Sequence, residues 1–566
     1  MKLIIIGGVA GGATAAARAR RLDEHAQIIL FERGEYVSFA NCGLPYYIGG
    51  IIPKRSDLLV TTPAALAERY NIDVRTFSEV VRIDRAAKEV EVKDRRTGEI
   101  YRESYDRIVL APGAEPLKPP IPGIDLPQIF SLRSIPDSDR IVAYLEGRGP
   151  RSVLIVGAGF ISLEMAENLV GKGCSVTIVE MLDQVMGNLD YEMAAMVEEH
   201  LAEKGVACKL GCTVTAFTQK GGRILISTDK GGDVEGDIVL VAIGVRPENR
   251  LAREAGLAIG PSGGIKVDEG MRTSDPDIFA VGDVVEVKDL ATGAYGTVAL
   301  AGPANKQGRI AADNAMGRTS VYRGGLGTFI AKVFDLSVAA TGASEKRLRA
   351  HNIPYLVSYT HPGSHASYYP GAAAMAIKLI FSPSDGRVLG AQIVGKEGVD
   401  KRIDVLACAM KAGMTVYDLE ELDLAYAPPY SSAKDPVNIA GYAAANILKG
   451  DVEQIVWNDL PGLDPEKDIL IDLRNPAEVQ REGSIPGALA IPLPELRKRL
   501  PELDREKRYV PFCAAGLRSY IAHRVLVQQG FRSISLAGGF RTFKRVRGRI
   551  EKTTAGAAPT GTSMTA

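Results

Sequence analysis

The sequence predicts an α/β protein of several domains, in which two doubly wound parallel sheets are followed by an α+β domain and a small C-terminal α/β domain. Three observations predict this fold class. The chain has 566 residues, more than one hydrophobic core usually holds. Short β-branched runs alternate with helical stretches through its first half, as in parallel sheets. This alternation starts twice, near residue 1 and near residue 151, each time with a glycine-rich turn.

Six runs are predicted to be buried parallel strands, because each is short, apolar and bounded by turn residues. They are Lys2–Ile6, Gln27–Phe31, Ile108–Ala111, Ser152–Val156, Ser175–Val179 and Asp237–Ala242. Helices are predicted for Ala13–Leu22 and Leu163–Gly171. We expect one domain from 1–115 with 246–323, and others at 116–245, 324–450 and 464–550. The Pro/Gly-rich stretch 458–465 predicts a linker, and the stretch 553–566 predicts a disordered tail.

Composition limits the possible functions. Lys plus Arg and Asp plus Glu are both 68, so the net charge of zero gives no reason to expect nucleic acid or an anionic membrane as partner. No apolar run reaches the roughly 18 residues that a membrane span needs. Six scattered cysteines exclude a disulfide framework and predict a cytoplasmic location. Cys208 and Cys212 have no second pair or neighbouring histidine, so no metal site is expected.

The first glycine-rich turn predicts a dinucleotide-binding site. It connects a strand to a helix, whose free N–H groups and dipole favour a pyrophosphate. Val9 occupies the place of the motif's middle glycine, and Glu32 ends the next strand, where it can accept hydrogen bonds from a ribose. The alternative is a tight β–α turn without a ligand. The turn consists of Gly7, Gly8, Val9, Ala10, Gly11 and Gly12.

The second glycine-rich turn predicts a nicotinamide site. Ser162 stands in place of its third glycine, and Glu180 closes the following strand. A carboxylate there favours a free ribose 2′-hydroxyl over a 2′-phosphate, so we expect NADH to be preferred to NADPH. The expected nicotinamide-binding residues are Gly157, Gly159, Phe160, Ile161 and Glu180.

Two dinucleotide sites in one chain predict an electron relay from a nicotinamide to a tightly held flavin. The segment Thr273–Asp283 is an apolar strand that ends in Gly-Asp, and it resembles the second flavin motif of two-dinucleotide-binding flavoproteins. In that family the aspartate, here Asp283, bonds the ribityl chain. The resemblance also covers the domain crossovers and implies FAD. The remaining expected cofactor-binding residues are Arg33, Ala111, Gly113, Gly244, Gly282 and Ala299.

Cys42 is the candidate reactive thiol. It follows the first βαβ turn, where a residue can reach the flavin, and no second cysteine lies nearby. Cys42 therefore cannot form a local internal disulfide and must pair with an external partner. That partner is a substrate thiol in a mixed disulfide, a persulfide, or oxygen in a sulfenic acid. A buried structural cysteine is the alternative, and the flanking Asn41, Gly43 and Pro45 argue for a loop instead.

A second candidate sulfur site lies in the C-terminal domain. The strand 508–512 leads into the loop Cys513–Ser519 and a helix beginning near Ser519, so loop N–H groups and Arg518 can stabilise a thiolate or persulfide. Four residues separate Cys513 from Arg518, one fewer than in cysteine-dependent phosphatases, which favours a sulfur atom over a phosphate. The segments 472–478, 483–488, 513–519 and 537–540 resemble a single-domain rhodanese. An inactive docking module is the alternative.

The segment Ser38–Tyr46 resembles the signature of coenzyme A disulfide reductases, and residues 1–552 resemble the fusion of that family with a rhodanese domain. The resemblance implies an FAD enzyme, a homodimer and a coenzyme A moiety beside Cys42. Arg18 and Arg21 share a face of the first helix and supply the cations that coenzyme A phosphates need, although a solvated basic face is the alternative. The implied substrate contacts are Thr14, Arg18, Arg21, Ser38 and Asn41, and less surely Tyr70, Asn305 and Lys434.

The same resemblance implies two phenols near the reacting sulfur, Tyr368 and Tyr426, supplied by the partner subunit. They could protonate a leaving thiolate. Tyr369 is the rival of Tyr368. We expect NADH-dependent reduction of coenzyme A persulfide, polysulfide or coenzyme A disulfide through Cys42, with Cys513 carrying sulfane sulfur. The alternatives are an NADH oxidase or peroxidase that cycles Cys42 through sulfenic acid, and a sulfur or redox sensor without turnover.

Overall fold

The computed structural model describes the backbone of residues 1–556 and the side chains of residues 1–551. It divides into two compact units. The first contains Met1–Met186 and Leu201–Gly327, and the second contains Gly187–His200 and the chain from Thr328 onward. Among the described residues, no helix combines the length and apolar character needed to cross a bilayer.

The first unit contains two five-stranded parallel sheets. The sheet near the N-terminus has the order Ile278–Ala280, Arg107–Leu110, Lys2–Ile6, Gln27–Phe31, Asp73–Arg75. The other has the order Ala207–Leu210, Ser175–Glu180, Ser152–Val156, Ile238–Val241, Ile129–Phe130. Strands such as Lys2–Ile6 are almost entirely buried because helices cover the sheet, which explains their continuous apolar sequence. The larger helices of this unit are Gly11–Arg20, Pro63–Tyr70, Ile135–Arg148, Phe160–Gly171 and Ala301–Ala315.

Smaller elements complete this unit. Each parallel sheet is accompanied by a three-stranded antiparallel sheet, formed by Ser78–Asp84, Glu89–Asp94 and Ile100–Ser104 or by Val214–Lys220, Arg223–Thr228 and Val234–Gly236. The crossover segments Ala114–Pro116 and Val245–Pro247 pair antiparallel. Short helical turns at Asn41–Gly43, Leu44–Gly49 and Gly282–Val284 carry candidate site residues.

The second unit begins with a five-stranded antiparallel sheet. Its order is Phe329–Val333, Leu336–Gly342, Val388–Gly395, Met375–Phe381, Leu356–Thr360. Its apolar core includes side chains from the helices Val399–Ala412, Val416–Glu421 and Pro436–Leu448. The C-terminal part has a four-stranded parallel sheet with the order Leu489–Ala490, Asp468–Asp472, Arg508–Phe512, Arg532–Ser533. Its helices are Pro476–Glu482, Leu493–Arg499, Leu517–Gln528 and Gly539–Gly556.

The structure shifts several predicted boundaries. The two helices after the glycine-rich turns begin at Gly11 and Phe160, two and three residues earlier than predicted, because the ends of the turns already have helical backbone. Part of the predicted linker is ordered: its first residues belong to the helical turn Trp457–Gly462, and Leu460 and Leu463 pack against an apolar cluster of the C-terminal part. The last helix extends to Gly556 and so includes the first four residues of the predicted disordered tail, whereas 557–566 lie outside the described residues.

Candidate active site

The first glycine-rich turn has the shape that its sequence predicts. Gly7 has φ of 102°, and a Cβ on Gly12 would lie 1.9 Å from the carbonyl oxygen of Gly7. The turn therefore requires these glycines before any ligand binds. The Glu32 carboxylate accepts hydrogen bonds from the N–H groups of Gly8, at 2.9 Å, and Gly34, at 2.8 Å. These contacts hold the acidic side chain at the edge of the turn.

The flavin motif places Asp283 in the same unit. Gly282, with φ of 83°, donates its N–H to Gln307 at 2.7 Å, which fixes the turn that presents Asp283. Burial raises the pKa of Asp283, and the positive charge of Arg133 opposes that shift. A partly buried aspartate in the same unit as a glycine-rich turn fits the ribityl and pyrophosphate parts of a flavin dinucleotide.

Arg133 is a candidate cofactor contact that the sequence analysis missed. It donates to the carbonyl oxygen of Pro112 at 3.1 Å. Burial and the charge of Arg33 lower its pKa, whereas nearby carboxylates including Glu32 raise it. A desolvated guanidinium in this position suits a pyrophosphate. No sequence motif indicates this role, because Arg133 lies just before the helix Ile135–Arg148, about 100 residues after the first glycine-rich turn.

The second glycine-rich turn repeats this geometry. Gly157 has φ of 100°, and a Cβ there would lie 2.5 Å from the carbonyl oxygen of Ala242. Glu180 accepts N–H groups from Ala158, at 2.7 Å, and Leu182, at 2.8 Å. By contrast, a Cβ on Gly159 would meet no atom within 4 Å. The protein itself does not require a glycine at this position, and the open space leaves room for a dinucleotide to approach the backbone closely.

Cys42 lies on the helical turn Asn41–Gly43 and is exposed. The preceding loop is tied to the first glycine-rich turn, since Ser38, with φ of 46°, donates its N–H to the carbonyl oxygen of Gly8 at 2.8 Å. Partial burial, then the carboxylates of Glu164 and Asp283, raise the pKa of the Cys42 thiol. All six cysteines are unpaired. The protein's own groups therefore oppose a thiolate at Cys42.

The candidate coenzyme A contacts differ in their exposure and in whether another residue already pairs with them. Arg18 makes an ion pair with Asp313 at 2.6 Å, so its charge is already neutralised. Arg21 is exposed, and no ion pair to it occurs among the described residues. Thr14 and Asn305 share a hydrogen bond of 2.5 Å. Tyr70 packs against the core, Asn41 is exposed in the same unit, and Lys434 is exposed in the other unit.

The two predicted phenols meet in the second unit. The hydroxyl oxygens of Tyr368 and Tyr426 are 2.7 Å apart, and both side chains are exposed. Tyr369 instead packs its ring against His365, with centroids 5.6 Å apart. The geometry thus favours Tyr368 over Tyr369. A cavity of about 480 Å³ adjoins Tyr426 and is also lined by His365, Lys401 and Arg402.

Cys513 lies in the loop between a strand and a helix, as predicted. Its sulfur accepts the N–H of Gly516 at 3.1 Å, and the hydroxyl of Ser519 lies 3.9 Å away. Cys513 is 2% exposed, so a sulfur atom on it would be shielded from water. Arg518 contributes charge to the loop but is held by two hydrogen bonds of 2.7 Å to the carboxylate of Glu478.

Two further residues lie near this loop: Glu478, which ends the segment 472–478, and His361, which the sequence places near Tyr368. The Glu478 ion pair with Arg518 holds the pKa of Glu478 at about 2, so the pair is intact at neutral pH. His361 is partly buried, and desolvation followed by the charges of Arg541 and Arg545 lowers its pKa to about 4. His361 lies beside the backbone of Ala515 and not beside the Tyr368–Tyr426 pair, to which we find no contact within the described residues. His361 and Cys513 are about 150 residues apart, so no local sequence pattern indicates that His361 lies near the Cys513 loop.

Three family profiles match the chain. The pyridine nucleotide-disulphide oxidoreductase profile matches residues 1–308, its dimerisation domain matches 328–436, and the rhodanese-like domain matches 459–545. The chain belongs to the pyridine nucleotide-disulphide oxidoreductase family and carries a rhodanese-like domain at its C-terminal end.

Individual relatives narrow the comparison. The coenzyme A disulfide reductase of Staphylococcus haemolyticus is 35% identical over 447 residues, which is 79% of this chain and 100% of the relative. The crystal structure of reduced Bacillus anthracis CoADR-RHD is 48% identical, has a TM-score of 0.94, and covers 97% of this chain and 98% of its own. A NAD-dependent persulfide reductase from A. fulgidus is 40% identical with a TM-score of 0.90, covering 96% and 100%. These two structures match nearly the full length of the chain.

Proposed function

We propose that this chain is an NADH-dependent flavoprotein that reduces coenzyme A persulfide, polysulfide or coenzyme A disulfide at Cys42, and that Cys513 carries sulfane sulfur. The observation that carries the proposal is the presence of two unpaired cysteines in one chain: Cys42, in the loop joined to the first glycine-rich turn, and Cys513, whose sulfur accepts the N–H of Gly516. The full-length similarity to a persulfide reductase supports it. A rhodanese-like domain has no evident task if the substrate contains only two ordinary thiols, so a persulfide is preferred.

Different residues of the chain would bind the two dinucleotides. Residues 7–12, Glu32, Arg133 and Asp283 would hold FAD, which when bound supplies two-electron transfer between the nicotinamide and the thiol. The second turn and Glu180 would hold NADH, with the carboxylate repelling a 2′-phosphate. A kcat/KM higher for NADPH than for NADH would contradict this assignment.

The chemical step needs a thiolate, a leaving group and a proton donor. The Cys42 thiolate attacks the substrate S–S bond, one half stays on Cys42, and the other leaves as a thiolate. We propose that the Tyr368–Tyr426 pair of a second subunit protonates that leaving group. The dimerisation-domain match supports the homodimer that this arrangement requires. The six unpaired cysteines suit a cytoplasmic enzyme.

The test is anaerobic NADH oxidation with coenzyme A persulfide, polysulfide, coenzyme A disulfide and glutathione persulfide. We expect Cys42→Ser to abolish turnover with every sulfur substrate, because no other thiol is placed to replace it. Cys513→Ser should still reduce coenzyme A persulfide but should lose sulfur transfer from a sulfane donor to a thiol. Full persulfide-dependent NADH oxidation by Cys42→Ser would refute the proposal.

An NADH oxidase is the second candidate function. The water-forming NADH oxidase of Lactobacillus brevis is 26% identical, has a TM-score of 0.77 and covers 80% of this chain. The exposed, single Cys42 is compatible with a sulfenic acid cycle. Faster NADH oxidation with oxygen alone than with coenzyme A persulfide would favour this candidate.

A further inference from the structure

A partly buried carboxylate lies close to the reactive thiol. Glu164 is in the helix Phe160–Gly171, which begins at the second glycine-rich turn. The hydroxyl of Tyr46 donates to Glu164 Oε1 at 3.4 Å. Tyr46 belongs to the short helix Leu44–Gly49, which follows Cys42 directly. The side chain of Tyr46 thus connects the thiol segment to the helix of the nicotinamide site.

The two helices are in direct contact, so this connection is fixed. A Cβ on Gly49 would lie 1.9 Å from the amide oxygen of Asn168, which shows how closely the helices approach. Asn168 is buried, and its amide nitrogen donates to the carbonyl oxygen of Glu164 at 2.8 Å. The helix that carries Glu164 therefore cannot withdraw from the thiol segment without disturbing this packing.

The groups around Glu164 and Cys42 favour proton exchange by Glu164 near neutral pH. Burial raises the pKa of Glu164 to about 7, Glu167 adds to the rise, and the hydrogen bond from Tyr46 opposes it. Burial and Glu164 raise the pKa of Tyr46 to about 12, so the phenol stays a donor. Glu164 in turn raises the pKa of Cys42, as does Asp283, whose charge faces Arg133. Thermodynamic linkage makes the effect mutual: a thiolate at Cys42 favours a protonated Glu164.

We propose that Glu164 is a positioning residue that keeps a proton while Cys42 is a thiolate and releases it when the sulfur enters an S–S bond. This inference rests on the proposed function. In the first half-reaction Cys42–S⁻ bonds one sulfur of R–S–S–R′, the S–S bond breaks, and R′–S⁻ leaves. The proton from Glu164 reaches R′–S⁻ through the phenols or solvent and gives R′–SH.

The second half-reaction restores the charges. NADH supplies two electrons that cleave Cys42–S–S–R into Cys42–S⁻ and R–S⁻. The proton released with NAD⁺ and one proton from solvent then protonate R–S⁻ and Glu164. The sum is NADH + H⁺ + R–S–S–R′ giving NAD⁺ + R–SH + R′–SH, so electrons and protons balance.

The first test is alkylation of Cys42 in the holoenzyme by iodoacetamide as a function of pH, followed by mass spectrometry of the Cys42 peptide. In Glu164→Gln the carboxylate that opposes the thiolate is absent, so the inflection of the alkylation rate should move to lower pH by about one unit. This readout does not depend on turnover. An alkylation curve that coincides with wild type would overturn the inference.

The second test is the pH profile of kcat/KM with coenzyme A persulfide. We expect wild-type activity to fall as pH rises through the pKa of Glu164, and Glu164→Gln to lack that descending limb. Tyr46→Phe removes the hydrogen bond that lowers the pKa of Glu164, so its limb should move to higher pH. Glu167→Gln, the matched carboxylate on the same helix, should move it to lower pH.

The outcomes separate this inference from the proposed function. A merely structural role for Glu164 would lower activity at every pH and leave the descending limb at its wild-type position, which would overturn the inference alone. Persulfide-dependent turnover in Cys42→Ser would instead overturn the proposed function. If the descending limb of the pH profile shifts in opposite directions in Tyr46→Phe and Glu167→Gln and is absent in Glu164→Gln, both the inference and the proposed function are supported.

Discussion

At the scale of single residues, identical side chains have different roles because their neighbours differ. Arg18 and Arg21 lie one turn apart on the first helix, and the sequence treats them alike. In the structure Arg18 is mostly buried against Asp313, which also accepts the hydroxyl of Ser320 at 2.8 Å. Arg21 is exposed. Arg18 joins the first helix to Asp313, and Arg21 has no ion pair among the described residues, so we propose Arg21 as the contact to a phosphate.

These surroundings predict different effects for two matched variants. Arg21→Ala should raise KM for a coenzyme A substrate roughly tenfold, since a charge-assisted hydrogen bond contributes about 1.5–3 kcal/mol, and should leave stability unchanged. Arg18→Ala should lower the free energy of unfolding by roughly 1–3 kcal/mol because Asp313 loses its partner. Steady-state kinetics and urea unfolding measure the two effects. An unchanged KM in Arg21→Ala would remove it from the substrate site.

At the scale of elements, the two glycine-rich turns use glycine for different reasons. Gly12 lies against the backbone of its own turn, so the fold needs it. Gly159 lies beside open space, so the fold does not require a glycine there, and we assign this glycine to the approach of a ligand. The sequence predicted both turns from their motifs, but it could not distinguish these reasons, because they depend on atoms that the motif does not contain.

This contrast predicts different losses in two alanine variants. Gly12→Ala should fold without retaining flavin or fail to fold, because its Cβ would clash with the Gly7 carbonyl. Gly159→Ala should fold, retain flavin and raise KM for NADH by about tenfold or more, since the backbone must approach the pyrophosphate. Flavin absorbance of the purified proteins and NADH titration measure these effects. A normal KM for NADH in Gly159→Ala would contradict the assignment of the second turn.

At the scale of the whole molecule, a buried charge cluster joins distant parts of the second unit. Lys378 is fully buried and contacts the carboxylates of Asp190, Glu192 and Glu345. Burial alone would lower the pKa of Lys378, but these carboxylates raise it well above its usual value, so the ammonium supplies the cation of the cluster. The indole of Trp457 donates to Glu192 at 3.2 Å. The cluster thereby anchors the segment that leads into the C-terminal domain.

Removing the central charge should loosen this junction. Lys378→Met would remove the buried counter-charge of Asp190 and Glu192 and leave Glu345 with Arg349 alone, so we expect a loss of about 3–5 kcal/mol in the free energy of unfolding. Trp457 is the one tryptophan of the sequence, so its fluorescence reports the junction directly and should shift to longer wavelength. Lys449→Met, which removes a surface pair with Glu420, is the matched control and should change neither quantity. An unshifted emission in Lys378→Met would show that Trp457 does not depend on the cluster.

The sequence by itself determined the fold class, the two dinucleotide turns and the positions of Cys42 and Cys513. These features follow from local patterns: apolar runs, glycines at turns, and residues directly after strands. The tertiary structure alone decided that Arg18 is neutralised, that Arg133 and Glu164 approach the flavin and thiol segments, and that Lys378 gathers three carboxylates. Most of these contacts join residues more than 100 positions apart, and their effect depends on burial and charge, which sequence spacing does not specify.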